Sequence, residues 1–257
     1  MAKYNTPSEI RPLEKLIMDF SYSNGYDPLN VFNDFLTYII HGFSPGAPPL
    51  HSWKYKRQQN EIFMEMTVEW SKLMQLKTRE DMAWYDPFGD LYMSLASQST
   101  QQGQGQFFTP VHICDLMVMC TEMEGEKKVG QRMGDPTCGS GRLLLAYHVR
   151  NLRSYLVAED INRTCCLMTV CNMLIHGCVG EVICHDSLNP KNFVDGWKVN
   201  PMLTSTGIPT IRKMSTEEYL ANRNLPVSPY LLNKPLPENN SNRKAHSPLP
   251  MQTTFNM

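Results

Sequence analysis

The run Asp135-Pro136-Thr137-Cys138-Gly139-Ser140-Gly141-Arg142 limits what this chain can fold into more than any other stretch. Met133-Gly134-Asp135 ahead of it reads as the end of a strand. Leu143, Leu144, Leu145 and Tyr147 behind it have the spacing of a helix. Two glycines between a strand and a helix let the backbone turn tightly, and the first N–H groups of the helix are left facing outward. Such a turn accepts a ligand at the carboxyl edge of a parallel sheet. Further along, Tyr155-Leu156-Val157-Ala158 reads as a second strand, Thr164 to His176 as a helix stopped by Gly177, and Glu181-Val182-Ile183-Cys184 as a third strand. Strands alternating with helices of this length predict βαβ units and an α/β fold with a parallel sheet.

The charge of the turn narrows its ligand. The spacing is D-x-x-x-G-x-G, which departs from the dinucleotide fingerprint G-x-G-x-x-G. A carboxylate ahead of the glycines repels a pyrophosphate and suits a cation. S-adenosylmethionine carries a sulfonium and an ammonium, so its sign fits. Asp160 follows the second strand, about 20 residues after the turn, where an acid can accept both ribose hydroxyls. Its bland alternative is a helix cap shared with Asn162. Asp186 follows the third strand, placed to bond an adenine amino group, and its alternative is a turn residue.

Around this centre the chain divides into three zones. Residues 1 to about 100 read as helices broken by loops. Asp27-Pro28 offers a cap and a first-turn proline, followed by Val31, Phe32, Phe35, Leu36, Ile39 and Ile40 at helical spacing. Ile62, Phe63, Met66, Trp70, Leu73 and Met74 form a second apolar stripe, read as packing. Residues 101–203 are the α/β core, entered through the Gln/Gly-rich run 101–106 and a helix begun by Thr109 and Pro110. Residues 204–257 are read as an extended or disordered tail, because eight prolines fall between Pro201 and Pro250. From Lys191 onward there are eight Lys or Arg against four Asp or Glu, so the tail is weakly basic.

Composition excludes some classes. A net charge of -1, from 24 basic and 25 acidic residues, rules out a strongly basic polymer-coating protein and leaves room for a local nucleic-acid face. No apolar run approaches the roughly 18 residues of a membrane span. The first residues lack the apolar stretch of a secretory signal. A cytoplasmic protein with no membrane partner is expected. The eight cysteines, Cys114 to Cys184, contain no C-x-x-C pair, so buried free thiols are expected and no metal site.

Four segments in order carry a family resemblance: Gly105-Gln106-Phe107-Phe108-Thr109-Pro110, Asp135 to Arg142, Ala158-Glu159-Asp160-Ile161-Asn162, and His185-Asp186-Ser187-Leu188. Together they resemble the N6-adenine DNA methyltransferases, and among these the modification subunit of type I restriction–modification systems, over about 90 to 200. The resemblance implies a Rossmann-like core that binds S-adenosylmethionine, preceded by helices. It implies that Phe108, Thr109 and Pro110 close over the methionine part of the cofactor, and that Asp135, Thr137, Gly139 and Gly141 line it. Asp160 would hold the ribose and Asp186 would reach the adenine ring. DNA is the implied substrate, methylated at the exocyclic amine of a flipped adenine, with a separate specificity subunit as partner.

The family's catalytic motif is Asn-Pro-Pro followed by an aromatic, at the end of the fourth strand. Its Asn side chain and first Pro carbonyl accept bonds from the target amine, and the aromatic stacks on the flipped base. Asn200 and Pro201 match it and are the catalytic candidates; Met202 and Leu203 do not match. Leucine has no π face, and stacking is worth about 1–3 kcal/mol per base. Asn189-Pro190-Lys191-Asn192 comes sooner after Asp186 and ranks second. With about 54 residues after Leu203, the expectation is a chain that supplies the cofactor half of the fold and little of the target side. The competing readings are a catalytically impaired cofactor- or DNA-binding accessory protein, and methylation of RNA or protein.

Overall fold

Helix boundaries follow the capping residues. Helix α2 (Pro28–Gly42) begins where Asp27 accepts the Asn30 N–H at 3.0 Å, and it buries Val31, Phe32, Phe35, Leu36, Ile39 and Ile40. The same face was legible as an apolar stripe. Asp27→Ala removes an exposed cap and should cost about 1 kcal/mol, lowering the melting temperature by about 2–4 °C. A thermal melt checks it. Helices α1 (Arg11–Asn24), α3 (Arg57–Lys77) and α4 (Pro87–Leu95) complete the amino-terminal group. Trp70, Phe63 and Met66 on α3 are fully buried, which confirms packing as the role of that stripe.

The computed structural model describes residues 6–50, 54–96, 108–121, 130–189 and 192–222. The Gln/Gly-rich run 101–106 and residues 223–257 lie outside these. After α5 (Val111–Thr121) come β1 (Arg132–Asp135), α6 (Arg142–Arg150), β2 (Tyr155–Asp160), α7 (Arg163–Ile175) and β3 (Val179–Cys184). β1 pairs with β2 and β2 with β3, both parallel, in the expected βαβ order. The fold class is therefore α/β. The helical group is not a separate unit, because its buried residues and those of the sheet form one continuous core. Helix α2 lies on α7, where Thr164 Oγ1 donates to Asn33 Oδ1 at 2.8 Å and Cys171 Sγ faces the Leu36 carbonyl at 3.7 Å.

Beyond β3 the chain departs from expectation in two ways. First, β4 (Asp195–Val199) runs antiparallel to β3, with Val199 opposite Gly180 and Asp195 opposite Cys184. The reason is chain length. A parallel return needs a crossover of about a dozen residues or more, whereas the connection 185–194 is short and has no helix among its described residues. Second, the core does not end at 203. Helix α8 (Leu203–Thr206), β5 (Ile211–Lys213) and α9 (Thr216–Asn222) follow, and β5 adds to β4 in antiparallel register. Met214 and Tyr219 pack there against Val157 and Ile183, so residues 204–222 are a folded edge of the sheet and not a tail. Among the described residues no helix is long and apolar enough to cross a membrane. Seven of the eight cysteines are buried, and all are free thiols.

Candidate functional site

The carboxyl ends of β1, β2 and β3 open onto one hollow of about 850 Å³, within the range of small-ligand sites. Its wall includes Phe108, Thr109, Asp135, Thr137, Gly139, Asp160 and Asp186, the residues that sequence reasoning placed around a cofactor. Pro110 and Gly141 stand behind the wall. The Pro110 carbonyl accepts from the Ile113 and Cys114 N–H groups at the start of α5. Gly141 caps α6 at φ +88°, with Thr169 so near that a Cβ would lie 3.1 Å from it. Gly139, at φ +56°, lies under the Phe108 ring, and a Cβ there would meet Phe108 Cδ1 at 2.9 Å. Both positions need glycine for backbone sign and for room.

Backbone donors hold the acids in place. Asp160 accepts from the Gly139 N–H at 2.9 Å and the Asn162 N–H at 2.8 Å, so it ties the end of β2 to the glycine turn. Asn162, not Asp160, caps α7, accepting from the Thr164 and Cys165 N–H groups at 2.8 and 3.2 Å. Asp135 accepts from the Thr137 N–H at 3.1 Å. Asp186 accepts from the Leu188 N–H at 3.0 Å, and Ser187 Oγ donates to the Pro136 carbonyl at 2.7 Å, joining the third turn to the first. Burial pushes the Asp135 carboxyl above its ordinary range, and the negative charge of Asp160 adds to the push. Burial also raises Asp160. Two acids whose charges disfavour each other in a partly dry hollow are a site that gains from a bound cation.

Sequence reasoning missed several wall residues. Ile161 and Leu188, 72% and 95% exposed, put apolar surface at the mouth beside Asp160 and Asp186. Their signal was position: each comes one or two residues after a strand-end acid. Cys114, Cys138 and Cys165 also face the hollow. Burial raises all three thiols, Cys114 to about 11, so they are protonated near neutrality and are weak nucleophiles toward an electrophile held there. Arg142 is the cation among the described wall residues, and it is bound to acids of α4 that the sequence did not single out.

The structure does not bring Asn200 and Pro201 to this hollow. Because β4 is reversed, its carboxyl end lies beside the start of β3, about 13 Å of strand from Cys184 at 3.3 Å per residue. Asn200 is fully buried there at φ +53°. Its Nδ2 donates toward the Met173, Leu174 and Cys178 carbonyls at 3.3, 3.2 and 2.9 Å, which caps the carboxyl end of α7. In this structure its side-chain amide is taken up by these carbonyls and does not line the hollow. Asn189 lies on the hollow's side of the sheet, exposed, with its N–H donating to the Asp186 carbonyl at 2.9 Å, while Pro190 and Lys191 lie outside the described residues.

Comparison with known proteins points to one family. A family model described as N-6 DNA Methylase matches residues 83–218. The type I restriction enzyme MpnII methylase subunit of Mycoplasma pneumoniae is 30% identical over 128 residues, which cover 43% of this chain and 23% of that protein. The match thus spans under a quarter of that relative's length. The crystal structure of a type I restriction-modification system methyltransferase subunit from Streptococcus thermophilus shares 22% identity, covering 68% of this chain and 38% of that one at a TM-score of 0.34.

Proposed function

Because this chain belongs to the N-6 DNA methylase family, we propose that its hollow holds S-adenosylmethionine and that it serves methyl transfer to the N6 amine of adenine in DNA. One observation carries the reading: Asp135, Asp160 and Asp186, from three adjacent strand ends, line a single hollow. The cofactor fits the donor set. Burial has raised two of these acids, and a ligand bearing a sulfonium and an ammonium relieves that strain while nucleotide phosphates would add to it. Asp135, Thr137 and Gly139, with Phe108 and Thr109 above them, would take the methionine end; Pro110 and Gly141 would set the bends that present these groups. Asp160 would accept the ribose hydroxyls, and Asp186 the adenine amino group. Bound there, S-adenosylmethionine supplies an electrophilic methyl carbon whose bond to sulfur breaks with the electron pair left on sulfur.

This chain's own residues bind and orient the donor and keep nearby thiols protonated. Asn200 and Pro201 do not line the hollow, and the Asn200 amide is taken up at the end of α7. The relative's name describes one subunit of a restriction enzyme, so we assign the target-holding groups to a partner protein that works with DNA, such as a specificity subunit. Isothermal titration with S-adenosylmethionine should give one-site binding, and an absence of heat would sink the cofactor assignment. Incubation with methyl-labelled donor and mixed-sequence DNA, followed by nucleoside analysis, should yield N6-methyladenine. The competing reading is an accessory protein that binds donor without transferring it. Binding without label transfer, with the partner present, decides for that reading.

A further inference from the structure

Arg142 occupies an odd place. It is the first residue of α6, directly after the glycine turn, where a cation opposes the helix dipole and where a side chain could point freely to water. Its side chain instead turns inward and is only 11% exposed. Nε donates to Asp86 Oδ2 at 2.6 Å and Nη2 to Asp90 Oδ1 at 2.8 Å, both from the start of α4. Asp86 is itself anchored from three more directions, by the Gly89 N–H at 2.8 Å, Ser140 Oγ at 2.5 Å and Asn172 Nδ2 at 2.7 Å. The guanidinium is thereby fixed, and what remains of it faces the hollow's roof. Nη1 donates to the Thr109 carbonyl at 3.3 Å, and Cζ lies 5.6 Å from the centre of the Phe108 ring. Phe108 in turn rests on Gly139.

We propose that Arg142 is a positioning residue that, braced by Asp86 and Asp90, holds Phe108 and Thr109 over the β1 end of the hollow and so sets the grip on the amino-acid end of the methyl donor. A planar fork with a π-stacking face can meet two carboxylates, a carbonyl and a ring together, which a lysine ammonium cannot. The roof lies beside β1, whereas Asp186 and Leu188 close the other end beside β3. The inference rests on the donor orientation proposed above, with methionine toward Asp135 and adenine toward Asp186.

The test compares S-adenosylmethionine with 5′-methylthioadenosine, which keeps the adenosine and the S-methyl group and lacks the amino-acid chain and the sulfonium charge. By titration, Arg142→Gln should bind the full donor about tenfold more weakly, the worth of one charge-assisted contact, and the truncated ligand as tightly as the parent does. Arg142→Lys should not restore the affinity. Equal losses for both ligands would mean a merely structural role, and no loss for either would mean none; both overturn the proposal. If Arg142→Gln fails to fold, Phe108→Ala carries the test, since it removes what Arg142 holds and leaves both acids paired. Parent-like affinity of Phe108→Ala for the full donor would also overturn it. A parent protein that binds neither ligand refutes the cofactor assignment itself, which separates the two failures.

Discussion

An Asn200→Ala variant should melt about 6–12 °C below the parent and bind S-adenosylmethionine as tightly as the parent does. The fall follows from two separate losses. The Asn200 amide donates toward the Met173 and Leu174 carbonyls in the last turn of α7 and the Cys178 carbonyl just before β3, and no water reaches it. Truncation takes the side-chain donor from the Cys178 carbonyl, while the Met173 and Leu174 carbonyls keep the Cys178 and Gly177 N–H groups, and losing the partner of a buried polar group costs about 1–3 kcal/mol. The backbone adds a second loss. At φ +53° an alanine pays about 1–2 kcal/mol that asparagine, with its tolerance of the left-handed region, largely avoids. Together these come to about 3 kcal/mol, and each kcal/mol moves a domain of this size by about 2–4 °C. Asn200→Gly relieves the backbone term alone and should recover part of the loss. The readouts are thermal melts of both variants and donor titration below their transitions. An alanine variant with the parent's melting temperature that had lost methyl transfer would restore the catalytic role and refute the cap.

The contrast between Asn200 and Gly139 explains what could be read from the chain in advance. The glycine turn was legible because its requirement is local. Positive φ at residues 139 and 141 admits little but glycine, and the acids that end or follow β1, β2 and β3 are pinned by backbone N–H groups two residues on. The direction of β4 is not local. Asp195–Val199 has the same pleat and the same apolar residues whichever way it runs, and the deciding fact was the length of the preceding connection. Residues 185–194 are too few for a crossover helix, a signal present in the sequence. Asp86 was missed for a different reason. Asp86-Pro87 repeats the cap signature of Asp27-Pro28, so it predicts the start of a helix. Its second task, receiving Ser140, Arg142 and Asn172, depends on three residues 54 to 86 positions away. Ile211 and Tyr219 were hidden by their proline-rich surroundings, although both are buried.

Asp135→Asn should weaken S-adenosylmethionine binding by about 100-fold near neutral pH and leave the fold intact. The substitution is nearly isosteric, and an asparagine oxygen can still accept from the Thr137 N–H, so the turn keeps its shape. What disappears is one negative charge in a partly desolvated wall, where a charged contact is worth about 1.5–3 kcal/mol. The pH dependence gives the sign. Burial, reinforced by Asp160, raises the folded-state value of Asp135 above its unfolded one, so the ligand-free fold holds this proton more tightly than the unfolded chain does. The stability this group contributes is therefore present in acid and lost as pH rises through the raised value. Donor binding runs the other way. It needs the carboxylate, so affinity should climb as pH rises through that same range and then level off. Asp135→Asn removes Asp135's part of the climb, and Asp160, raised for the same reason, keeps a remainder. Without ligand the variant should melt at or above the parent's temperature near neutrality, because a disfavoured charge has gone. At a donor concentration 100 times the parent's Kd, the parent gains about 2.7 kcal/mol and the variant about 0.4 kcal/mol. Thermal shift with and without donor reads both effects in one experiment. A variant whose melting temperature rises with donor as much as the parent's would show that the charge at Asp135 does not hold the ligand.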